Sequence, residues 1–372
     1  MSGNHSQPNT GQSRPAVCYL GAFDEAYSRN RIIRAGLEAH GWRVALAPLP
    51  TGLNFRRALP LLWRTMRQEA RDCQALIVAE FNQLLAPLAV GLGRLLGKPV
   101  IVDYTVGLYE SRVLDNNAAN PRALRNWLWR ALDGWNITAA AGAFTDTASH
   151  REAFRQQIGA PARRMVVVPV GVSKEWLLPL EGRPAREPDG QLLVQFYGGF
   201  NPFHGVQVIL RALSWLNTDE RFRFELIGRG PMHQAALQRA ELLGIRRLKF
   251  IDPPTTPELV RHVQRADICL GVFARREKTG YVVSHRVMEC MALGKPVVTA
   301  EAEAVREYFR PGEHLITVPP SDPGALARTL RALAEDPARR EQIGRAAAAC
   351  IREQHTPEQV VAPLVALLER VT

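Results

Sequence analysis

The chain has 372 residues, more than one hydrophobic core of ordinary size encloses, because single cores stop growing at about 250–300 residues, so two domains are expected. Hydrophobic residues make up 46% and charged residues 22%, with 28 Gly and 26 Pro, which excludes a disordered chain and a fibrous repeat. Lys plus Arg number 47 against 36 Asp plus Glu, and the formal charge of +11 favours partners that carry phosphate or an anionic membrane face.

Residues 1–15, MSGNHSQPNTGQSRP, are polar and lack the apolar core of a signal peptide, so they read as a disordered leader. Apolar runs at Ala16 to Leu20, Arg43 to Ala47, Ala75 to Ala79, Pro99 to Val102, Ala143 to Thr145 and Met165 to Pro169 predict strands. Helical spacing at Arg29 to His40 and at Leu84 to Leu96 falls between them, the alternation from which parallel sheets are built. Residues 16–178 therefore read as a first Rossmann-like domain. The stretch 179–190, LEGRPAREPDG at its heart, is rich in Pro, Gly and charge and reads as a linker.

The pattern then restarts over residues 191–355, with strands expected at Leu192 to Tyr197, Phe222 to Ile227, Leu248 to Ile251, Ile268 to Val272, Pro296 to Thr299 and Leu315 to Val318. Helices are expected at Gln207 to Leu216 and His233 to Leu243. Residues 356–372 form an amphipathic helix with Thr356 as N-cap and Pro357 at its first position, and the sequence leaves open whether it packs back on the first domain. The expected fold is α/β, two doubly wound sheets facing a cleft.

Five cysteines, Cys18, Cys73, Cys269, Cys290 and Cys350, are scattered and never spaced as Cys-x-x-Cys, which argues against a disulfide framework or structural zinc and for a reducing, cytoplasmic home. The most apolar stretch, Leu84 to Gly93, is broken by Arg94, well short of the roughly 20 residues of a spanning helix.

Glycines fall where strands should end and helices begin: Gly21, Gly198 with Gly199, and Gly228 with Gly230. Either they bring backbone N–H groups to a phosphate at a helix N-terminus or they simply make tight turns. In the segment Gly271 to Ala300, Ser284 precedes a helix on which Glu289 sits one turn after Arg286. Glu289 either accepts hydrogen bonds from ribose hydroxyls, as acids do in dinucleotide-binding sheets, or pairs with Arg286 on the surface.

The stretch HRVMECMALGKPVVTA resembles the K-x-x-E-x-x-A-x-G-x-P-V-V signature of retaining nucleotide-sugar glycosyltransferases, family 4 of the GT-B fold. FYGGFNPFHGVQVILRAL, FELIGRGP, ADICLGVF and the closing PGEHLITVPPSDPGALARTLRALAEDPARREQIGRAA are similar to further segments of that family's second domain, and MVVVPVGV to a strand end of its first. The resemblance implies that Glu289 holds the donor ribose and that Tyr281, Val282 and Val283 lie against the donor, Tyr281 standing where a first acid is usual. The Arg and Lys that hold the donor diphosphate in the family fall at Gly199 and His204. Compensation is expected from the Gly198 and Gly199 amides, from a protonated His204, or from Arg229, Arg275, Arg276, Lys278 and Arg286. The loop from Gly21 to Arg31 resembles the family's first loop, which faces donor phosphates and acceptor. Asp103 occupies the place of a His near the transferred sugar, where it either positions an acceptor hydroxyl, stabilises an oxocarbenium charge or caps the next loop. His150 is either catalytic or structural.

No D-x-D occurs, which fits a transfer that needs no metal or other cofactor, with basic side chains and helix N-termini stabilising the leaving diphosphate. The implied reaction moves a hexose from a nucleoside-diphosphate sugar to a glycan or lipid-linked acceptor. Asn54 to Arg71 and Asn120 to Trp135 mix arginines with Trp63, Trp127, Trp129 and Trp135. Such segments either lie on an inner-leaflet membrane surface or pack their apolar residues on the sheet with the arginines solvated. No nucleic-acid motif is present. The alternatives are a noncatalytic nucleotide-sugar or lipid-binding partner of glycan assembly and a sugar epimerase of the same architecture.

Overall fold

The structure, a computed structural model, describes residues 14–52, 55–114, 124–177 and 190–372. Residues 1–13 of the expected leader and 179–189 of the expected linker lie outside the described residues, as do Asn54 and 120–123 of the two basic segments.

Among the described residues the strands form two six-stranded parallel sheets. The first comprises β1 (Ala16–Gly21), β2 (Arg43–Pro48), β3 (Ala75–Val78), β4 (Val100–Asp103), β5 (Gly142–Thr145) and β6 (Met165–Val167), in the order β2-β1-β3-β4-β5-β6. The second comprises β7 (Leu192–Tyr197), β8 (Phe222–Ile227), β9 (Leu248–Ile251), β10 (Ile268–Leu270), β11 (Val297–Ala300) and β12 (Ile316–Val318), in the order β12-β11-β10-β7-β8-β9. Every strand expected from an apolar run is present, because a strand covered on both faces must be apolar throughout. Thus β1, β3, β4 and β5 are buried at every position, while the edge strand β2 exposes Arg43 and Pro48.

The C-terminal helix Pro357–Val371 packs on the first sheet. Thr356 and Gln359 form a reciprocal capping box and Pro357 opens the helix. Its Val360, Val361, Leu364, Leu367 and Leu368 are buried with Val17, Tyr19, Ile77 and Ile101, each contributing about 1.5–3 kcal/mol by burial. The helix before it, Pro337–Gln354, instead buries Ala347, Cys350 and Ile351 in the second domain. The chain crosses at His355, whose backbone carbonyl accepts from Val172 N–H at 2.9 Å. Burial pushes the His355 imidazole down to about 4, so it is neutral and its Nδ1–H donates to the Val170 carbonyl at 3.2 Å.

All five cysteines are buried and free. Among the described residues no helix is long and apolar enough to cross a membrane. The two basic segments behave differently. In helix Phe55–Gln68, Ala58, Leu62 and Met66 are buried on the sheet. Helix Leu124–Ala139 leaves Leu124, Trp127, Leu128 and Trp135 exposed beside Arg125 and Arg130.

Candidate active site

The carboxyl ends of the two sheets open onto one cavity of about 630 Å³. Strand order reverses between β1 and β3 in the first sheet and between β7 and β10 in the second. Such reversals leave a crevice outside the strand ends in which ligands of doubly wound sheets bind. Glu80 and Asp146 line the cavity from the first domain; Gly198, Gly199, Arg286 and Glu289 line it from the second.

On the second-domain wall, β7 is followed by Gly198, whose φ of 149° and missing Cβ both matter, because a Cβ there would collide with the Arg286 guanidinium. Arg286 is thereby drawn against the turn: Nη1 donates to the Gly271 carbonyl at 2.9 Å, and the guanidinium lies 4.1 Å from the Phe196 ring centroid. Burial pushes the Arg286 pKa down to about 10, still a cation at neutral pH. Gly228 and Gly230 contact the turn rather than the cavity, since a Cβ at either would strike the carbonyl oxygen of Gly198 or Gly199. For these two glycines the tight-turn reading is the one that the packing explains.

Glu289 sits on helix His285–Ala292, buried at the cavity wall. Its Oε2 accepts from the Tyr197 hydroxyl at 2.6 Å and its Oε1 from the Ser28 hydroxyl at 3.1 Å. Burial raises its pKa, opposed by these donors and by Arg286. Val282 and Val283 line the cavity; Tyr281 does not, for its hydroxyl donates to Glu110 Oε1 at 3.0 Å.

Two of the expected compensating cations require correction. His204 lines the cavity, but burial and the adjacent Arg286, 3.2 Å from Nε2, push it down to about 2, so it is neutral and brings no charge. Arg229 is solvent-exposed and pairs with Asp252 at 2.7 Å, outside the cavity lining. Lys278 does line the cavity and lies 3.4 Å from Glu110, whereas Arg275 and Arg276 are not among the lining residues.

On the first-domain side, Asp103 is fully buried beneath the cavity. It accepts from Arg29 Nε at 2.9 Å and from the Thr105 hydroxyl at 2.6 Å. That geometry fits the reading of a strand-end acid that holds the next loop. His150, 1% exposed, lies between the rings of Phe154 and Tyr281 at 4.6 and 4.7 Å. Burial opposes its charge, but Asp146 at 2.6 Å and Glu110 at 3.6 Å outweigh that and raise its pKa to about 9. His150 is thus part of the seam between domains and lies behind the cavity wall. Gly21 (φ 138°) makes room for Asn82, which accepts from Ala22 N–H at 2.6 Å and donates to the Glu80 carbonyl at 2.8 Å, pinning the loops after β1 and β3 together.

Sequence reasoning missed Ser28, Glu80, Glu110 and Asp146. For two of them a signal existed: the criterion that singles out Asp103, an acid at the end of an apolar strand, applies equally to Glu80 after β3 and Asp146 after β5.

Residues 17–171 match a family described as glycosyl transferase 4-like domain, and residues 207–366 one described as glycosyl transferase-like. The D-inositol 3-phosphate glycosyltransferase of Streptomyces avermitilis is 30% identical over 236 residues, 59% of this chain and 50% of that protein. D-rhamnosyltransferase WbpZ of Pseudomonas aeruginosa is 26% identical over 266 residues, 70% of this chain and 65% of that one. The chain spans about half the length of the first of these relatives. Anabaena HepE, solved in complex with UDP and glucose, superposes with a TM-score of 0.72 at 15% identity, covering 96% of this chain and 100% of that one. The protein therefore has the two-domain GT-B fold, and both of its halves match glycosyltransferase-like domain families.

Proposed function

We propose that the protein is a retaining, metal-independent glycosyltransferase that moves a hexose from a nucleoside-diphosphate sugar to a glycan or lipid-linked acceptor. The observation that carries this reading is the convergence of the Gly198–Gly199 turn, Arg286 and Glu289 at the switch point of the second sheet. Glu289 has the chemistry to accept from ribose hydroxyls. The turn amides and the first turn of helix His285–Ala292 offer N–H donors to a diphosphate, and Arg286 supplies a positive charge as the phosphate leaves. Matches to glycosyltransferase families in both halves, and the UDP-bound Anabaena neighbour, support a nucleotide sugar as the donor. Retention and transfer without a metal rest on the family resemblance and on this set of donors.

The reading places the protein in the cytoplasm at the inner membrane face. Leu124, Trp127, Leu128 and Trp135 are exposed on one helix with Arg125 and Arg130, apolar and cationic groups together, as binding to an anionic leaflet requires. A noncatalytic partner is the second reading, favoured by the neutral state of His204 and by the absence of an acid at Tyr281.

A thermal-shift screen with UDP, GDP and ADP and their hexose derivatives, followed by product analysis with EDTA present, tests both readings. Stabilisation with transfer supports the enzyme. Stabilisation without donor turnover supports the binding partner, and no response to any nucleotide contradicts the enzyme and a nucleotide-sugar-binding partner alike.

A further inference from the structure

Three adjacent parallel strands of the first sheet, β3, β4 and β5, each run out into a buried acid: Glu80, Asp103 and Asp146. A fourth, Glu110, lies beside them on the turn Glu110–Leu114. Three cations are interleaved with these four acids, and each has its own partner. Arg29 meets Asp103 at 2.9 Å, His150 meets Asp146 at 2.6 Å and Lys278 meets Glu110 at 3.4 Å. Glu80 is the acid left over. It is 3% exposed, it lines the cavity at the first sheet's switch point, and its Oε2 is buried without a hydrogen-bond partner. A buried carboxyl in that state is costly unless it holds a proton or turns to meet a ligand at the cavity wall.

The groups facing Glu80 pull in opposite directions. Burial, Asp103 and Asp146 raise its pKa, while Arg29 and Lys278 oppose them, and the outcome is about 8. Tyr19 and Tyr27 also face it and are neutral at physiological pH, each held above its ordinary value mainly by burial. With Glu80 protonated, the acids and cations of the cluster balance. A phosphate dianion brought to this wall would meet Glu80 and Asp146, while the nearby cations Arg29 and Lys278 already sit against carboxylates.

We infer that Glu80 is an acceptor-binding residue whose carboxyl turns at the cavity wall to hold a sugar hydroxyl, and that the acceptor group seated there is a neutral hydroxylic one rather than a phosphomonoester. The inference rests on the glycosyltransferase reading and names the acceptor class of that same cleft.

The test uses the full chain and whichever nucleotide sugar the screen identifies. Acceptors are presented in pairs, glucose with glucose 6-phosphate and myo-inositol with D-inositol 3-phosphate, alongside methyl hexosides. Transfer is expected to at least one neutral acceptor, with kcat/KM about tenfold or more above that for a phosphorylated counterpart. Glu80→Ala is expected to raise the acceptor KM about tenfold and leave the donor KM unchanged, whereas Glu80→Gln, which keeps a hydrogen-bonding oxygen, stays within about threefold at pH 7. Melting curves of both variants show whether each is folded, and the paired-acceptor comparison on the native chain carries the test if the Ala variant is not. Equal or faster transfer to the phosphorylated partner overturns the inference. So do an acceptor KM indifferent to Glu80→Ala, and a chain that hydrolyses the donor yet glycosylates no neutral acceptor. Absence of any donor binding overturns the glycosyltransferase reading itself, and this inference with it.

Discussion

Ser28 of the first domain and Glu289 of the second meet across the cleft, the hydroxyl donating to Oε1 at 3.1 Å. The carboxylate to which the proposed function gives the donor ribose therefore already bridges the domains, and on that proposal an incoming ribose hydroxyl would replace Ser28 at that oxygen. Ser28→Ala should leave nucleotide affinity within about threefold, or tighten it, because it removes a competitor of modest net strength. Titration calorimetry with the nucleotide checks this; a tenfold loss would make Ser28 a direct nucleotide contact.

Gly198→Ala should lower both the melting temperature and nucleotide affinity, since the new Cβ collides with Arg286 and the φ of 149° suits glycine. Gly91→Ala is the control. That residue lies in helix Ala86–Leu95 with open space around its Cβ position, so alanine should stabilise by about 0.5–1 kcal/mol. Equal melting temperatures for the two variants would contradict the packing account of the turn.

Asp103→Ala leaves the buried Arg29 charge without its partner and should destabilise by about 3–5 kcal/mol. Denaturant titration measures this. A variant as stable as the native chain but inactive would return Asp103 to a direct role toward the sugar.

His150 makes stability depend on pH with a defined sign. Its folded pKa is raised to about 9 by Asp146 and Glu110 against the opposing effect of burial, so the native state holds the proton more tightly than the unfolded one. The stabilisation is fully present below about pH 6.5, the ordinary value of histidine, and is lost as pH rises through about 9. Scanning calorimetry should find the gap between the native chain and His150→Gln constant below pH 6.5 and narrowing towards pH 9. A gap that widens over that range contradicts the assignment.

Strand positions were legible because strands covered on both faces leave uninterrupted apolar runs, and the helix at Glu289 because its signature is local. What stayed hidden depends on contacts between distant segments. Tyr281 reads as a position opposite the donor yet turns onto Glu110, 171 residues away. His204 reads as a cation until Arg286 is placed 3.2 Å from it. Gly228 and Gly230 look like phosphate turns until they are seen against Gly198 and Gly199. Glu80 and Asp146 differ again: their strand ends were visible, but only the pairing of the other acids marks Glu80 as the one without a partner.

In the proposed function the second-domain wall binds a nucleoside-diphosphate sugar through Glu289. The most direct measurement is calorimetric titration of UDP-, GDP- and ADP-hexoses into the native chain and into Glu289→Ala. Saturable one-to-one binding of at least one of them is expected, weakened about 10- to 100-fold in the variant, as for lost hydrogen bonds to a charged group. No binding by the folded native chain, or equal affinity in the variant, would contradict it.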